Sequence, residues 1–135
     1  MPEDRADLRF RPHQHLRRNR DFQAVKERGR RIPCGVFLFQ AAIRSGEGDS
    51  IDGPRLGIIT SRRVGPAVVR NRMRRRMREI FRTHQDRLQR DVDIVLVMRA
   101  SAREVTFENL ELRFLKAVEK SRFGRAGPKD GGNGE

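Results

Sequence analysis

The chain has 135 residues, a net charge of +13 at pH 7 and a sequence pI of about 11.6. This length suits one domain with a modest core, and the positive charge points to a polyanionic partner, nucleic acid before an anionic membrane. The lone Cys34 excludes a disulfide framework or a cysteine-based zinc site, and without a membrane-spanning run or a signal-like start we expect a cytoplasmic protein.

The first predicted elements are an arm and a short helix. Residues 1–14 are charged and aperiodic, which predicts a flexible basic arm. The spacing of Phe22 and Val25 predicts a helix over residues 20–28, and Gly29 is expected to stop it.

Three segments predict strands. Residues 34–43 (CGVFLFQAAI) are apolar on both faces, with Phe37 and Phe39 expected to share a face of the core. Residues 55–61 form a second apolar run after a turn-rich loop, and we expect the two runs to pair as a long-looped hairpin. Residues 91–99 predict the third strand.

Two more helices complete the order α-β-β-α-β-α. One is expected to start at Pro66, with Gly65 as its cap, and to run to about Thr83. Thr106 is expected to cap the last helix, which stops near Gly124 and carries apolar residues at three- and four-residue spacing. We expect one α+β domain over residues 15–122, with helices packed on a small sheet, and a disordered Gly-rich tail over residues 123–135.

The middle helix is amphipathic. At 3.6 residues per turn, Met73, Met77 and Ile80 share an apolar stripe with Val69, His84 and, at its margin, Phe81. The opposite side carries almost only arginine, and Glu79 is the single acid between Arg62 and Arg82, against nine arginines. Because like charges three and four apart repel on a helix, phosphate groups of a nucleic acid are the partner that explains this face.

Other interpretations of this face remain open. A solvated surface helix normally mixes charges of both signs, and an amphipathic basic helix can also bind a membrane or an acidic protein. Asn71 within the arginine face and the short flanking strands favour a rigid nucleic-acid-binding domain.

The segment SRRVGPAVVRNRMRRRMREIFR (61–82) resembles the Arg-Asn-Arg signature of the bacterial ribonuclease P protein subunit. Residues 16–31, PRLGIITS (54–61), DIVLVMR (93–99) and FENLELRFLKAV (107–118) are similar to further parts of that family, in the same order. The resemblance implies a small α/β sandwich with a central mixed sheet and a left-handed β-α-β crossover, a fold shared with the second domain of a small-subunit ribosomal protein.

The resemblance also implies a function. The family's holoenzyme removes the 5′ leader from precursor tRNA, and its catalytic RNA carries the active site with Mg²⁺. The protein subunit would bind that RNA, one to one, and the 5′ leader, and broaden the substrate range, without a catalytic residue, metal or cofactor of its own and without a membrane partner.

Carried over by position, the resemblance assigns RNA binding to eight residues: Arg62, Arg63, Arg70, Asn71, Arg72, Arg74, Arg75 and Arg78. On a helical wheel, Arg70, Arg74 and Arg78 form one row that could line a cleft. Arg72 and Arg75 point elsewhere and could contact the RNA subunit.

The implied leader cleft lies between the signature helix, the sheet and the first helix, with Phe22, Lys26, Leu38 and Gln40 as its residues. Phe22 matches a leader-contacting aromatic, and a place at the edge of the core is equally open for it. Lys26 and Gln40 replace aromatic residues of the family, so charge is expected to hold the leader more than stacking does. Pro66 replaces the signature asparagine and removes an amide that could contact RNA.

Two other functions are weighed against this one. A structural RNA protein, such as a ribosomal component, would also be small and basic. A self-sufficient metal nuclease would need clustered carboxylates or a histidine acid–base pair. However, Asp91 and Asp93 look like strand-end residues, His13 and His15 fall in the predicted arm, and His84 lies on an apolar face.

Overall fold

The structure is a computed structural model that describes residues 10–44 and 53–124. Over these residues, three helices pack on a four-stranded mixed sheet, which confirms the predicted α+β class. In chain order, the elements are α1 (Asn19–Arg28), β1 (Arg30–Pro33), β2 (Phe37–Ile43), β3 (Arg55–Ile59), α2 (Ala67–His84), β4 (Val92–Met98) and α3 (Phe107–Ser121).

Helix α1 ends at Gly29, as predicted, but the reason is steric. Gly29 has an ordinary φ of −87°. A Cβ at this position would lie 2.4 Å from the carbonyl oxygen of Val25 and 2.6 Å from that of Ala41. Only glycine therefore allows the chain to turn from α1 directly into β1 beside β2.

The strand order is β1-β2-β4-β3, so the predicted hairpin between residues 34–43 and 55–61, which contain β2 and β3, is wrong. β2 pairs antiparallel with β1 and with β4, and β3 pairs parallel with β4, which separates it from β2. The hairpin that does form joins β1 to β2 and turns through Gly35, whose φ is +84°. β1 escaped prediction because Arg-Arg-Ile-Pro shows no apolar alternation.

Each face of the sheet has its own helices. Phe37 and Phe39 of β2 are fully buried on one face, as predicted, among Met73 and Met77 of α2 and Phe114 of α3. Their neighbours along β2 point to the other face, which α1 covers, because successive side chains alternate along a strand. The domain is thus a helix layer, a sheet and a second helix layer.

Helix α2 connects the parallel strands β3 and β4 as a β-α-β crossover. The crossover is what the resemblance implies, and its left hand stays a prediction. Pro66 is the residue before the helix rather than its first residue, since the carbonyl of Pro66 accepts the first helical hydrogen bond from the amide of Arg70. Gly65, with a φ of +149°, ends the preceding 3-10 turn instead of capping α2.

Helix α3 begins as predicted, because the Thr106 side chain accepts a hydrogen bond from the amide of Asn109. It ends at Ser121, before Gly124, and Arg122 follows with a left-handed φ of 66°. Phe123 packs against the core and Gly124 forms a bridge with Leu88. The rest of the predicted tail lies outside the described residues.

The folded part begins earlier than the predicted boundary at residue 15. Gln14 is buried and donates hydrogen bonds to the side chain of Gln85 and the carbonyl of Pro54. The amide of Leu16 donates to the carbonyl of Leu56 on the outer edge of β3. Residues 10–14 therefore dock on the domain, while residues 1–9 of the predicted arm lie outside the described part.

Candidate RNA interface

The arginines singled out in the sequence lie on the surface side of α2. Its buried side consists of Met73, Met77, Ile80 and Phe81, as the periodicity predicted, with Phe81 fully inside. Among the eight predicted RNA-binding residues, the exposed ones are Arg62, Arg63, Asn71, Arg75 and Arg78, and the half-buried ones are Arg70, Arg72 and Arg74.

Little negative charge accompanies this face. Glu79 accepts hydrogen bonds of 2.6 and 3.0 Å from Arg82, and these bonds hold the pKa of Glu79 below its usual value. Arg74 donates to the side-chain oxygen of Asn71 at 3.0 Å, which fixes its direction without neutralising it. Across the described ranges, no carboxylate lies within 4.0 Å of the guanidinium nitrogens of Arg75 or Arg78.

Several of these side chains border one concavity, which we name the arginine hollow. It has a volume of about 650 Å³ and is lined by Phe10, Asn71, Arg74, Arg75, Arg78, Glu79 and Arg82. Arg75 thus lies with Arg74 and Arg78, whereas the helical wheel had set it apart from them. The reason is that Arg75 lies three residues before Arg78 and four after Asn71, and residues at these spacings are neighbours on a helix surface.

Arg70 and Arg72 are placed differently. The Nε atom of Arg70 donates to the carbonyl of Gly65 at 3.1 Å, so this arginine fastens the start of α2 to the preceding turn. The Nε atom of Arg72 is buried and has no hydrogen-bond partner among the described residues. Neither residue lines the arginine hollow. The Nε atom of each is thus bonded or buried within the domain, whereas Arg75 and Arg78 are exposed.

Arg62 and Arg63 occupy the 3-10 turn between β3 and α2. The hydroxyl of Ser61 accepts a hydrogen bond from the amide of Arg63 at 3.3 Å and caps this turn. The turn holds both exposed side chains near the beginning of α2, next to Gly65. They extend the basic surface beyond the helix.

The four predicted leader-cleft residues belong to the opposite side of the sheet. The Phe22 ring packs above Gly57, where a Cβ would come within 2.6 Å of two ring carbons. Leu38 and Gln40 are only 8% and 6% exposed and form part of the sheet below α1, while Lys26 is exposed on that helix. This set and the α2 arginines are on different faces of the sheet rather than across one cleft from each other.

A second charged group, around Asp93, escaped the sequence analysis. Asp93 is 5% exposed and lies within β4, not at a strand end as we had expected. Arg55 donates to both of its carboxylate oxygens, at 2.8 and 2.7 Å, and Arg44 donates to one of them at 2.6 Å. The partners are 38 and 49 residues away in sequence, so no local pattern could have identified them.

The remaining candidates have structural contacts. His84 is half-buried, as expected, and its Nε2 lies 2.6 Å from a carboxylate oxygen of Glu111. His13 is exposed, whereas the His15 ring lies 4.2 Å from that of Phe10. Cys34 packs at the margin of the core, where burial raises the pKa of its thiol.

Neither a metal-binding cluster nor a membrane-spanning helix occurs in the described part of the chain. No three or more histidine, cysteine, aspartate and glutamate side chains there come together as a metal site. No helix there is both long enough and apolar enough to cross a membrane.

Phe10 is the residue of this interface that the sequence analysis missed. Its only local signal is an aromatic residue in an otherwise polar stretch, six positions before Leu16. That signal does not show that residues 10–16 run along the edge of β3 and bring the ring to α2. The contact between Phe10 and Phe81 exists only in the folded chain.

Residues 10–122 match the protein family described as Ribonuclease P. The chain is 34% identical over 106 residues to a ribonuclease P protein component from Syntrophomonas wolfei, covering 78% of this chain and 85% of that protein. A protein of the same name from Syntrophobacter fumaroxidans is 38% identical over 103 residues, covering 76% and 82%.

Solved structures agree with these relatives. The RNase P protein of Staphylococcus aureus aligns with a TM-score of 0.72 at 25% identity, covering 83% of this chain and 98% of that one. The RNase P protein of Thermotoga maritima gives a TM-score of 0.66 at 28% identity, covering 78% and 96%. The similarity thus extends over the sheet and all three helices.

Proposed function

Since the chain belongs to the ribonuclease P protein family, we propose that it binds the catalytic RNA of ribonuclease P and assists the removal of the 5′ leader from precursor tRNA. In this proposal the two components assemble one to one in the cytoplasm. The protein extends the range of precursors that are processed. The bond-breaking step belongs to the RNA, with Mg²⁺.

The observation that carries the proposal is the excess of arginine over carboxylate on the outer face of α2. Arg75 and Arg78 are exposed and without a carboxylate partner among the described residues. Arginine presents a planar fork that matches the oxygens of phosphate, and each phosphate that is neutralised releases condensed counterions from the RNA. An RNA backbone against α2 would replace the repulsion between these side chains with attraction.

We assign the 5′ leader to the face of the sheet that α1 covers. Phe22 offers the aromatic ring there, and Lys26 supplies an exposed charge next to it. Leu38 and Gln40 are nearly buried, so they form the sheet surface beneath the leader and offer it little contact area. Because one ring gives less stacking than several, charge contributes more to leader binding than base stacking does.

The division of labour follows from the two faces. The catalytic RNA would contact α2 with its basic turn at Arg62 and Arg63, and the leader would contact the α1 face. When the protein binds both the catalytic RNA and the leader, the precursor is held against the RNA that cleaves it. The protein then contributes affinity and orientation.

The experiment compares two variants that each lose two positive charges. Arg75→Ala with Arg78→Ala removes charge from the arginine hollow, and Lys116→Ala with Lys120→Ala removes the same charge from exposed positions of α3. Affinity for ribonuclease P RNA is measured by filter binding, and cleavage of precursor tRNA by the reconstituted holoenzyme at limiting protein.

We expect the first variant to bind at least about tenfold more weakly, as the loss of two charge-assisted contacts predicts. The second variant should bind like the unmodified chain. Equal losses of affinity in both variants would mean that net charge, and not the position of the arginines, determines RNA binding. Cleavage of precursor tRNA by the protein without RNA would contradict the assignment of catalysis to the RNA.

A further inference from the structure

Phe10 forms one wall of the arginine hollow and is only half-buried. Its ring meets the buried ring of Phe81 edge to face, with centroids 5.4 Å apart and an interplanar angle of 67°. On another side, the His15 ring lies 4.2 Å away, tilted by 36°. Two neighbouring rings therefore fix the orientation of Phe10 while part of its surface stays accessible.

The backbone around Phe10 is held as firmly as its ring. The Gln14 side chain accepts a hydrogen bond from the amide of Arg11 at 2.8 Å and donates one to Gln85 at 2.8 Å. One residue beyond His15, the chain is bonded to the edge of β3 at Leu56. A docked and oriented aromatic ring is available without an ordering step on binding, which lowers the entropic cost of a contact.

The surroundings of this ring have the chemistry of a nucleotide site. An apolar ring surface stands next to Arg74, Arg75 and Arg78, so a ligand that combines a flat π-system with anionic groups would satisfy both. The volume of about 650 Å³ falls in the range of small-ligand sites. An unpaired nucleotide of RNA has this combination of base and phosphate.

His15 supports the same assignment. Burial, followed by the charges of Arg78 and Arg17, lowers the pKa of His15 below its ordinary value. The shift favours the neutral form of the ring, whose flat face backs Phe10 at a centroid distance of 4.2 Å.

We infer that Phe10 is a stacking platform for one unpaired base of the bound catalytic RNA, with Arg75 and Arg78 on the adjoining phosphates. The inference rests on the proposed function, which assigns this face to the catalytic RNA. It adds a base contact to a surface otherwise described by phosphate contacts, and it supplies an aromatic platform on the face opposite to Phe22.

The chain contains neither tryptophan nor tyrosine, which gives a direct test. In Phe10→Trp, the new side chain is the only indole and its fluorescence reports on stacking with a base. The variant is titrated with ribonuclease P RNA and, separately, with inorganic polyphosphate, which carries negative charge but no bases. The control is Leu112→Trp, at a 52% exposed position on α3.

We expect RNA to quench Phe10→Trp strongly, polyphosphate to leave it nearly unchanged, and Leu112→Trp to respond to neither. Phe10→Leu, which keeps an apolar contact with Phe81, should bind the RNA roughly five- to hundredfold more weakly, as loss of one stacked base predicts. Its melting temperature, measured in parallel, should stay close to that of the unmodified chain.

Two failures can be told apart. If the RNA binds, as a mobility shift shows, but Phe10→Trp is unquenched or responds equally to polyphosphate, the stacking inference is overturned and the proposed function stands. If the unmodified chain does not bind the RNA at all, both are overturned.

Discussion

The arginines of α2 and those around Asp93 are the same side chain in two opposite settings. Arg55 and Arg44 converge on one buried carboxylate within 2.8 Å. Arg75 and Arg78 are exposed, and no carboxylate among the described residues comes within 4.0 Å of them. The first pair has its anion inside the protein, and the second pair needs an anion from outside.

Desolvation explains the difference. A buried charge is tolerated only with a partner and hydrogen bonds, because removing it from water is costly. An exposed arginine needs no partner, but a row of them repels by a few tenths of a kcal/mol per pair. The Asp93 group therefore serves the stability of the domain, whereas the α2 face gives up a little stability in favour of binding.

Salt should separate the two regions most strongly. If roughly six to ten phosphates are neutralised on RNA binding, affinity should fall by about 10³–10⁵ between about 50 and 200 mM monovalent salt, a range taken from duplex DNA. The free energy of unfolding should change far less, because buried pairs are poorly screened. Filter binding and urea denaturation over the same salt series measure the two effects.

The slope of this series gives a sharper comparison. Arg75→Ala with Arg78→Ala should lower the slope of log affinity against log salt by about 2, since each lost phosphate contact lowers it by about 1. An affinity that does not respond to salt would mean that the α2 face does not bind phosphate.

Removing the internal anion is the next largest change. Asp93→Ala leaves Arg55 buried without its main partner and should reduce the free energy of unfolding by about 3–5 kcal/mol, measured by urea denaturation with circular dichroism. Asp91→Ala, at an exposed position on the same segment, is the matched control and should stay within about 0.5 kcal/mol. A loss below about 1 kcal/mol for Asp93→Ala would remove the contrast between the two regions.

The smallest expected effect concerns His15, a group near Arg78 that loses its positive charge when it loses a proton. Burial and the nearby Arg78 and Arg17 lower the pKa of His15, so the folded state prefers the neutral ring. The unfolded chain binds the proton more readily, and the stabilisation present above about pH 6.5 should be lost as the pH falls through the lowered pKa.

The check on His15 is a melting series from pH 8 to pH 5 for the unmodified chain and for His15→Gln, which has no titrating ring. The difference between the two chains should shrink or reverse at low pH, by less than the effect of Asp93→Ala. Parallel melting curves at every pH would show that His15 carries no such linkage.

Much of the fold could be predicted because it depends on residues close in sequence. The apolar stripe of α2, the Thr106 cap and the stop at Gly29 all depend on neighbours within a few positions. The arginine face of the candidate site belongs to the same class, since the 3.6-residue period alone places these side chains opposite Met73 and Met77.

Only the tertiary structure decided three other features: the pairing of β2 with β4 instead of β3, the burial of Asp93 and the docking of Phe10 on Phe81. Each joins segments far apart in the chain, and the residues near each partner do not say which distant segment will meet it. Helical and strand periods relate residues only a few positions apart. Strand order and buried charge pairs instead depend on how distant segments of the chain pack together in the core.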